Sequence, residues 1–146
     1  MVKGWDQARL AGSLAGIGIA GYLTVLHYDR AVPFACPASG AVNCERVLTS
    51  PQSVWLGVPL ALWGVLWFVV VAILAGASLA QRSPKEPGWL RQAGLGWSVI
   101  GAAAVVGFVY VEVAIVRAIC MWCSVVHGLV IGLFVLQVLT DAVRAG

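Results

Sequence analysis

Four cysteines form two unlike pairs in this sequence. Cys120 and Cys123 make a Cys-x-x-Cys just where a long apolar segment begins, and Cys36 and Cys44 stand eight apart in a polar loop. Thiols three positions apart are neighbours on the first turn of a helix, where backbone N–H groups and the positive end of the helix dipole favour the thiolate. The thiolate is the nucleophile of thiol–disulfide exchange, so the motif is a redox device. The same spacing supplies two of the four ligands of a tetrahedral zinc site, which stands as the alternative. No metal is expected, because the second pair does not repeat the first. Two unlike pairs suggest a relay in which one thiol of each pair reaches the other, the loop supplying the reach. For the loop pair alone the alternative is a structural staple. For the Cys-x-x-Cys a staple is not expected, since a bond between adjacent helix-turn positions is strained and reducible.

The elements that must position these thiols are membrane helices. Hydrophobic residues make up 61% of the chain and charged residues 10%, with a mean hydropathy of +0.94, so polar side chains are too few to coat a globule. The solvent must be lipid. A length of 146 residues fits a single transmembrane domain, 1–146, with no soluble domain appended at either end. The first apolar segment lacks the small-residue cleavage site of a removable signal peptide. A formal charge of +3, dispersed along the chain, argues against nucleic acid as a partner.

Crossing about 30 Å of hydrocarbon takes about 20 helical residues, and four stretches qualify: about 10–26, 56–80, 92–116 and 120–139. The expected fold is all-α, an integral-membrane four-helix bundle. Gly12, Gly16 and Ala20, with Gly18 and Gly21 beside them, give the first span the small-residue spacing of close helix packing. The second span has Gly57-Val58-Pro59 near its start and the polar turn Gln81-Arg82-Ser83-Pro84-Lys85-Glu86-Pro87 at its end. Three residues, Arg117 to Ile119, separate the last two spans, so these form a tight antiparallel hairpin with the Cys-x-x-Cys near one membrane face. Between the first two spans lies the one long loop, 28–53, broken by Pro33, Pro37, Gly40 and Asn43. Within it, 42–50 is a candidate short amphipathic helix on the membrane surface.

Four spans put both termini on one side. Lys3, Arg9, Arg82, Lys85, Arg91 and Arg144 fall on the side of the termini, against Arg30, Arg46 and Arg117 on the other, so both termini are expected in the cytoplasm of a cell-membrane protein. The loop and the hairpin then share the extracytoplasmic face, and all four thiols stand in the oxidising compartment. A membrane location also gives a thiol relay direct access to a lipid-soluble oxidant, for which quinone is the obvious candidate.

Other residues could support that chemistry. Glu112 is an intramembrane carboxylate of a kind that usually faces a cavity or a partner, although it could simply reach Arg117 or interfacial water. His127 lies one turn inside Cys123 on the same helix face, placed to hydrogen-bond a quinone carbonyl or shuttle its proton; the alternative is an interior histidine bonded to a neighbouring helix. Trp55, Trp63, Trp67, Trp97 and Trp122 read first as interfacial belt or bundle core. Trp122 carries extra weight from its place between the two thiols.

Cys36-x7-Cys44, Val47-Leu48-Thr49-Ser50-Pro51, Gly57-Val58-Pro59-Leu60-Ala61-Leu62-Trp63-Gly64 and Cys120-Met121-Trp122-Cys123 with His127 beyond follow one another as in bacterial homologues of the vitamin K epoxide reductase family. The chain resembles that family over essentially its whole length. The other bacterial four-helix thiol-oxidase family carries the two kinds of pair in the reverse order. The resemblance implies a quinone pocket inside the bundle, with Cys123 engaging a quinone such as menaquinone or ubiquinone, Cys120 as its resolving partner and Cys44 exchanging with Cys120. Cys36 would then meet the outside partner. It also implies a supporting role for Ser50, six residues after the second loop cysteine, and places Leu60 and Trp63 at the pocket. Vertebrate members carry an asparagine where Leu60 stands and a tyrosine where His127 stands. Plain quinone reduction is therefore expected, with quinone epoxide reduction as one alternative and a non-enzymatic membrane protein with structural disulfides or zinc as another. Many bacterial members have a fused thioredoxin-like domain; here the expected partner is a separate thioredoxin-fold dithiol protein, and the expected activity is that of a membrane thiol oxidase supporting disulfide formation.

Overall fold

The computed structural model describes residues 2–33, 35, 36, 39–81 and 87–146. Four helices are long and apolar enough to cross a membrane: α1 (Val2–Tyr28), α3 (Leu60–Ala80), α4 (Gly88–Tyr110) and α5 (Met121–Ala145), with the short α2 (Cys44–Leu48) between the first two. A π-helical turn, Val111–Val116, continues α4. This is the all-α, four-span architecture that the hydropathy implied. Of the polar turn expected after the second span, Arg82, Ser83, Pro84, Lys85 and Glu86 lie outside the described residues, as does Pro37 of the loop.

The bundle is held by small residues facing large ones. A Cβ on Gly16 would sit 2.4 Å from the ring of Phe68, itself fully buried, and one on Gly12 would sit 3.1 Å from Leu133, so both glycines let α1 approach its neighbours closely. Ala20 lies in the same core with Phe68, Val71, Val105, Val130 and Leu133. Gly18 and Gly21 face open space. Only part of the glycine-rich stripe therefore makes the seam. α3 and α4 are joined differently: Trp67 Nε1 donates to the carbonyl of Trp97 at 3.1 Å, and Trp97 Nε1 donates to the carbonyl of Trp67 at 3.2 Å. A Cβ on Gly101 would sit 2.4 Å from the Trp67 ring, so the indole fits only because that position is bare.

The second span starts later than its apolar pattern suggests. Val54–Trp55 and Val58–Pro59 pair as an antiparallel hairpin, and α3 begins at Leu60. Pro59 has no N–H and a fixed φ, which suits it to stand just ahead of the first helical turn. Leu56 and Gly57 make the two-residue turn with φ of 53° and 77°, a left-handed conformation natural for glycine and strained for leucine. The first helix, by contrast, begins well ahead of its apolar run, at Val2.

That extension carries a polar cluster which the sequence reading did not anticipate. Asp6, 1% exposed, binds Arg9 Nη1 through Oδ1 at 3.0 Å and Arg144 Nη2 through Oδ2 at 2.6 Å. Nearby in sequence on α5, the buried Gln137 donates to both carboxylate oxygens of Asp141 at 3.2 and 3.1 Å. Charges buried in membrane helices usually pair, as those of Asp6, Arg9 and Arg144 do.

Candidate active site

The loop that holds Cys36 and Cys44 is pinned to the bundle at several points. Asn43 caps α2 by accepting the Arg46 N–H on Oδ1 at 2.9 Å, which fixes Cys44 as the first helical residue. On either side of Val42 the chain pairs with the segment ahead of α5: Asn43 N–H donates to the Ile119 carbonyl at 3.0 Å, and Ile119 N–H donates to the Ala41 carbonyl at 2.8 Å. A two-bond backbone bridge therefore lays the residue before Cys44 against the residue before Cys120. Trp122 Nε1 donates to the carbonyl of Ala35 at 2.8 Å, and the hydroxyl of Tyr22 lies 3.4 Å from both the Pro33 carbonyl and the Ala35 N–H. At the far end of α2, His27 Nδ1 meets the Leu48 carbonyl at 3.1 Å.

These tethers bring all four cysteines into one apolar cluster. Cys44, Cys120, Val47, Val116 and Ala118 form its buried core, with Cys36, Cys123 and Trp122 packed against them. Cys36 and Cys44 are joined by a disulfide, while Cys120 and Cys123 are free thiols. Cys44 and Cys120 are 2% and 0% exposed, whereas Cys36 and Cys123 are half-buried, so each pair has an inner member in the shared core and an outer member at its edge.

Cys120 stands just ahead of α5 as its N-cap, not as its first residue. Its sulfur accepts the Cys123 N–H at 3.2 Å, and its carbonyl accepts the Ser124 hydroxyl at 2.9 Å. The hydrogen bond with the Cys123 thiol holds the Cys120 thiol below its ordinary pKa, with the Cys123 N–H adding to it and burial opposing it.

Beside the cluster lies an apolar cavity of about 560 Å³. Cys123 and His127 line it from α5, Glu112 from the π-helical turn, Ser50 from the loop, and Leu60 and Trp63 from α3. Of the expected supporting residues, Trp122 alone is absent from the lining. Its indole is spent on Ala35 and its ring stands edge-on to Tyr22, at 5.8 Å between centroids, so it holds the loop instead. Conversely Trp55, Trp67 and Trp97, read as belt or core, join Trp63 in the wall. The His127 ring stacks on Phe108. The Ser50 hydroxyl donates to the Val47 carbonyl at 2.7 Å, closing the end of α2.

Glu112 does not turn outward to Arg117. Its Oε2 accepts the Cys120 N–H at 3.4 Å and its carbonyl accepts the Ala118 N–H at 3.1 Å, so one residue holds the approach to the Cys-x-x-Cys by side chain and backbone together. Arg117, with φ of 54°, makes the left-handed turn that follows.

The volume and the mostly apolar lining with a few polar groups are the usual constitution of a small-molecule pocket. Among the described residues no group of three or more His, Cys, Asp or Glu side chains is placed to hold a metal ion. Two cysteine pairs gathered in one cluster, inside a bundle of four helices apolar enough to cross a membrane, fit a membrane redox protein that works through cysteines. Residues 8–138 match the model of the vitamin K epoxide reductase family, and the chain belongs to that family, which makes it an oxidoreductase. Proteins of the family generally use quinones.

Proposed function

We propose that this chain is a thiol:quinone oxidoreductase that takes two electrons from a separate thioredoxin-fold dithiol protein and delivers them to a quinone in the cavity, sustaining disulfide formation outside the cytoplasm. The observation that carries this reading is the gathering of both cysteine pairs in one cluster, with Cys123 also lining the apolar cavity. A bound quinone supplies a two-electron, two-proton acceptor. Cys36, the more exposed loop thiol, receives the partner's attack; Cys44 passes the exchange inward to Cys120; and Cys123 faces the acceptor. His127 offers the acceptor a hydrogen bond at the cavity wall, while Ser50, Leu60 and Trp63 shape the space.

The whole of 1–146 acts as a single transmembrane domain in the cell membrane, with both termini cytoplasmic and the cysteines outside. The excess of Lys and Arg on the side of the termini supports that orientation. The test is the purified protein supplied in turn with menaquinone and ubiquinone analogues while the thiols are reduced and reoxidised. Loss of quinone absorbance in step with thiol oxidation is the expected result. Turnover of a quinone epoxide but not of quinone would replace this reading with the epoxide reductase one. Zinc bound at about one ion per chain, with no turnover, would replace it with a structural role.

A further inference from the structure

Closing a dithiol to a disulfide releases two electrons and two protons, and an apolar cavity offers few groups to receive the protons. Cys123 apart, the titratable groups that line this one are His27 from α1, Glu112 from the π-helical turn and His127 from α5. α2, α3 and the α-helical part of α4 contribute none. His27 is engaged with the Leu48 carbonyl, and Arg117, next in the chain after the turn, is exposed. Glu112 is singular among them. It is 7% exposed within a membrane-spanning helix, and among the described residues it belongs to no ion pair. A carboxyl without a counter-cation in such a place is expensive and calls for a function. The π-helical turn that carries it is a further mark, since such turns are frequent at functional sites. Its carboxyl lies on the N–H of Cys120 on one side and in the cavity wall on the other, so it connects the redox pair to the acceptor's space.

We infer that Glu112 is the proton carrier of the Cys120–Cys123 pair. As the two S–H bonds break and the S–S bond forms, the electron pair and one proton go to the oxidant, glutathione disulfide or quinone, and the Glu112 carboxylate takes up the other proton and passes it on through the cavity. The destination of the proton rests on the quinone reading above: there the two electrons and two protons together turn quinone into quinol. Uptake by Glu112 itself does not depend on the acceptor.

The wild-type protein, poised in glutathione buffers of graded ratio with no quinone added, should give a redox-difference infrared spectrum with a protonated-carboxyl band that follows the Cys120–Cys123 couple. That band should be missing from Glu112→Gln, which keeps an oxygen for the Cys120 N–H but carries no proton, and present in Glu112→Asp. With a small dithiol and a short-chain quinone, Glu112→Gln should turn over on the order of 100-fold more slowly, with a flattened pH profile and little change in KM. Glu112→Asp should keep the pH dependence. A wild-type spectrum without a carboxyl band overturns the proposal even if no variant folds. So does a Glu112→Gln protein with wild-type rate and pH profile. A carboxyl band in a protein that reduces no quinone would sink the quinone reading and leave the proton carrier standing.

Discussion

The indole N–H of Trp122, the residue between the two thiols of the Cys-x-x-Cys, donates to the carbonyl of Ala35, the residue before Cys36, at 2.8 Å. The two cysteine pairs are thus tied through a residue of one motif and the neighbour of the other, across most of the chain. Replacing Trp122 by Phe keeps the ring against Tyr22 and removes the bond. One such bond contributes about 1 kcal/mol, so oxidation of a protein dithiol should slow roughly fivefold. Turnover with a small dithiol, which bypasses the loop, should stay within twofold. Equal slowing in both assays would mean that Trp122 acts on the inner pair itself.

The assignment of inner and outer thiols makes a sharper demand. Cys36→Ala should abolish oxidation of the protein partner and leave turnover with a small dithiol, because the small reagent can reduce Cys120–Cys123 directly. Cys123→Ala should abolish both. Parallel rate measurements on the two variants check this, and equal loss in both assays for Cys36→Ala would remove the relay.

The depressed pKa of Cys120 sets the pH dependence of exchange. A thiol held below the ordinary value of 9.0 is thiolate at lower pH than a free cysteine, so in the reverse direction of the exchange its attack on the loop disulfide persists as pH falls and is lost only on passing its own lowered pKa. The main cause is the bond with the Cys123 thiol. Cys123→Ala should therefore shift the pH profile of mixed-disulfide formation by Cys120 in the alkaline direction. Trapping Cys120–Cys44 species across a pH series measures it, and an unmoved profile would assign the depression to backbone N–H groups alone.

The four spans could be read from length and hydropathy because the membrane imposes both. What escaped the sequence were relations carried by backbone and by context. The bridge between Ala41–Asn43 and Ile119 uses only N–H and C=O groups, which every residue has, so no side chain announces it. The Val54–Pro59 hairpin was hidden by its turn, where Leu56 occupies a left-handed position usually marked by Asn or Gly. Arg9 and Arg144 read in the sequence as charges on the side of the termini, and nothing in their spacing signals that both bind a buried aspartate. The nearness of Cys120, Cys123 and His127, by contrast, could be read from their spacing along one helix.

Close packing at the α3–α4 seam is the most direct test of the fold. A methyl at position 101 would lie 2.4 Å from the Trp67 ring, and that ring cannot swing aside without breaking its bond to the Trp97 carbonyl. Gly101→Ala should destabilise the bundle by about 1–3 kcal/mol, the usual penalty of overpacking. Gly18→Ala, where nothing lies within 4 Å, should be neutral or slightly stabilising. Thermal unfolding of both variants in the same detergent reports the difference.

The buried aspartate near the start of α1 has a practical corollary for anyone handling the protein. Asp6 holds Arg144 at 2.6 Å, so the two ends of the polypeptide are stapled side by side without a covalent bond. Fluorescent reporters attached at the N- and C-termini would start from neighbouring points and be close enough for efficient energy transfer in the folded state. Asp6→Asn would loosen that staple and leave the thiols untouched, which makes the transfer signal a gauge of bundle integrity independent of redox state.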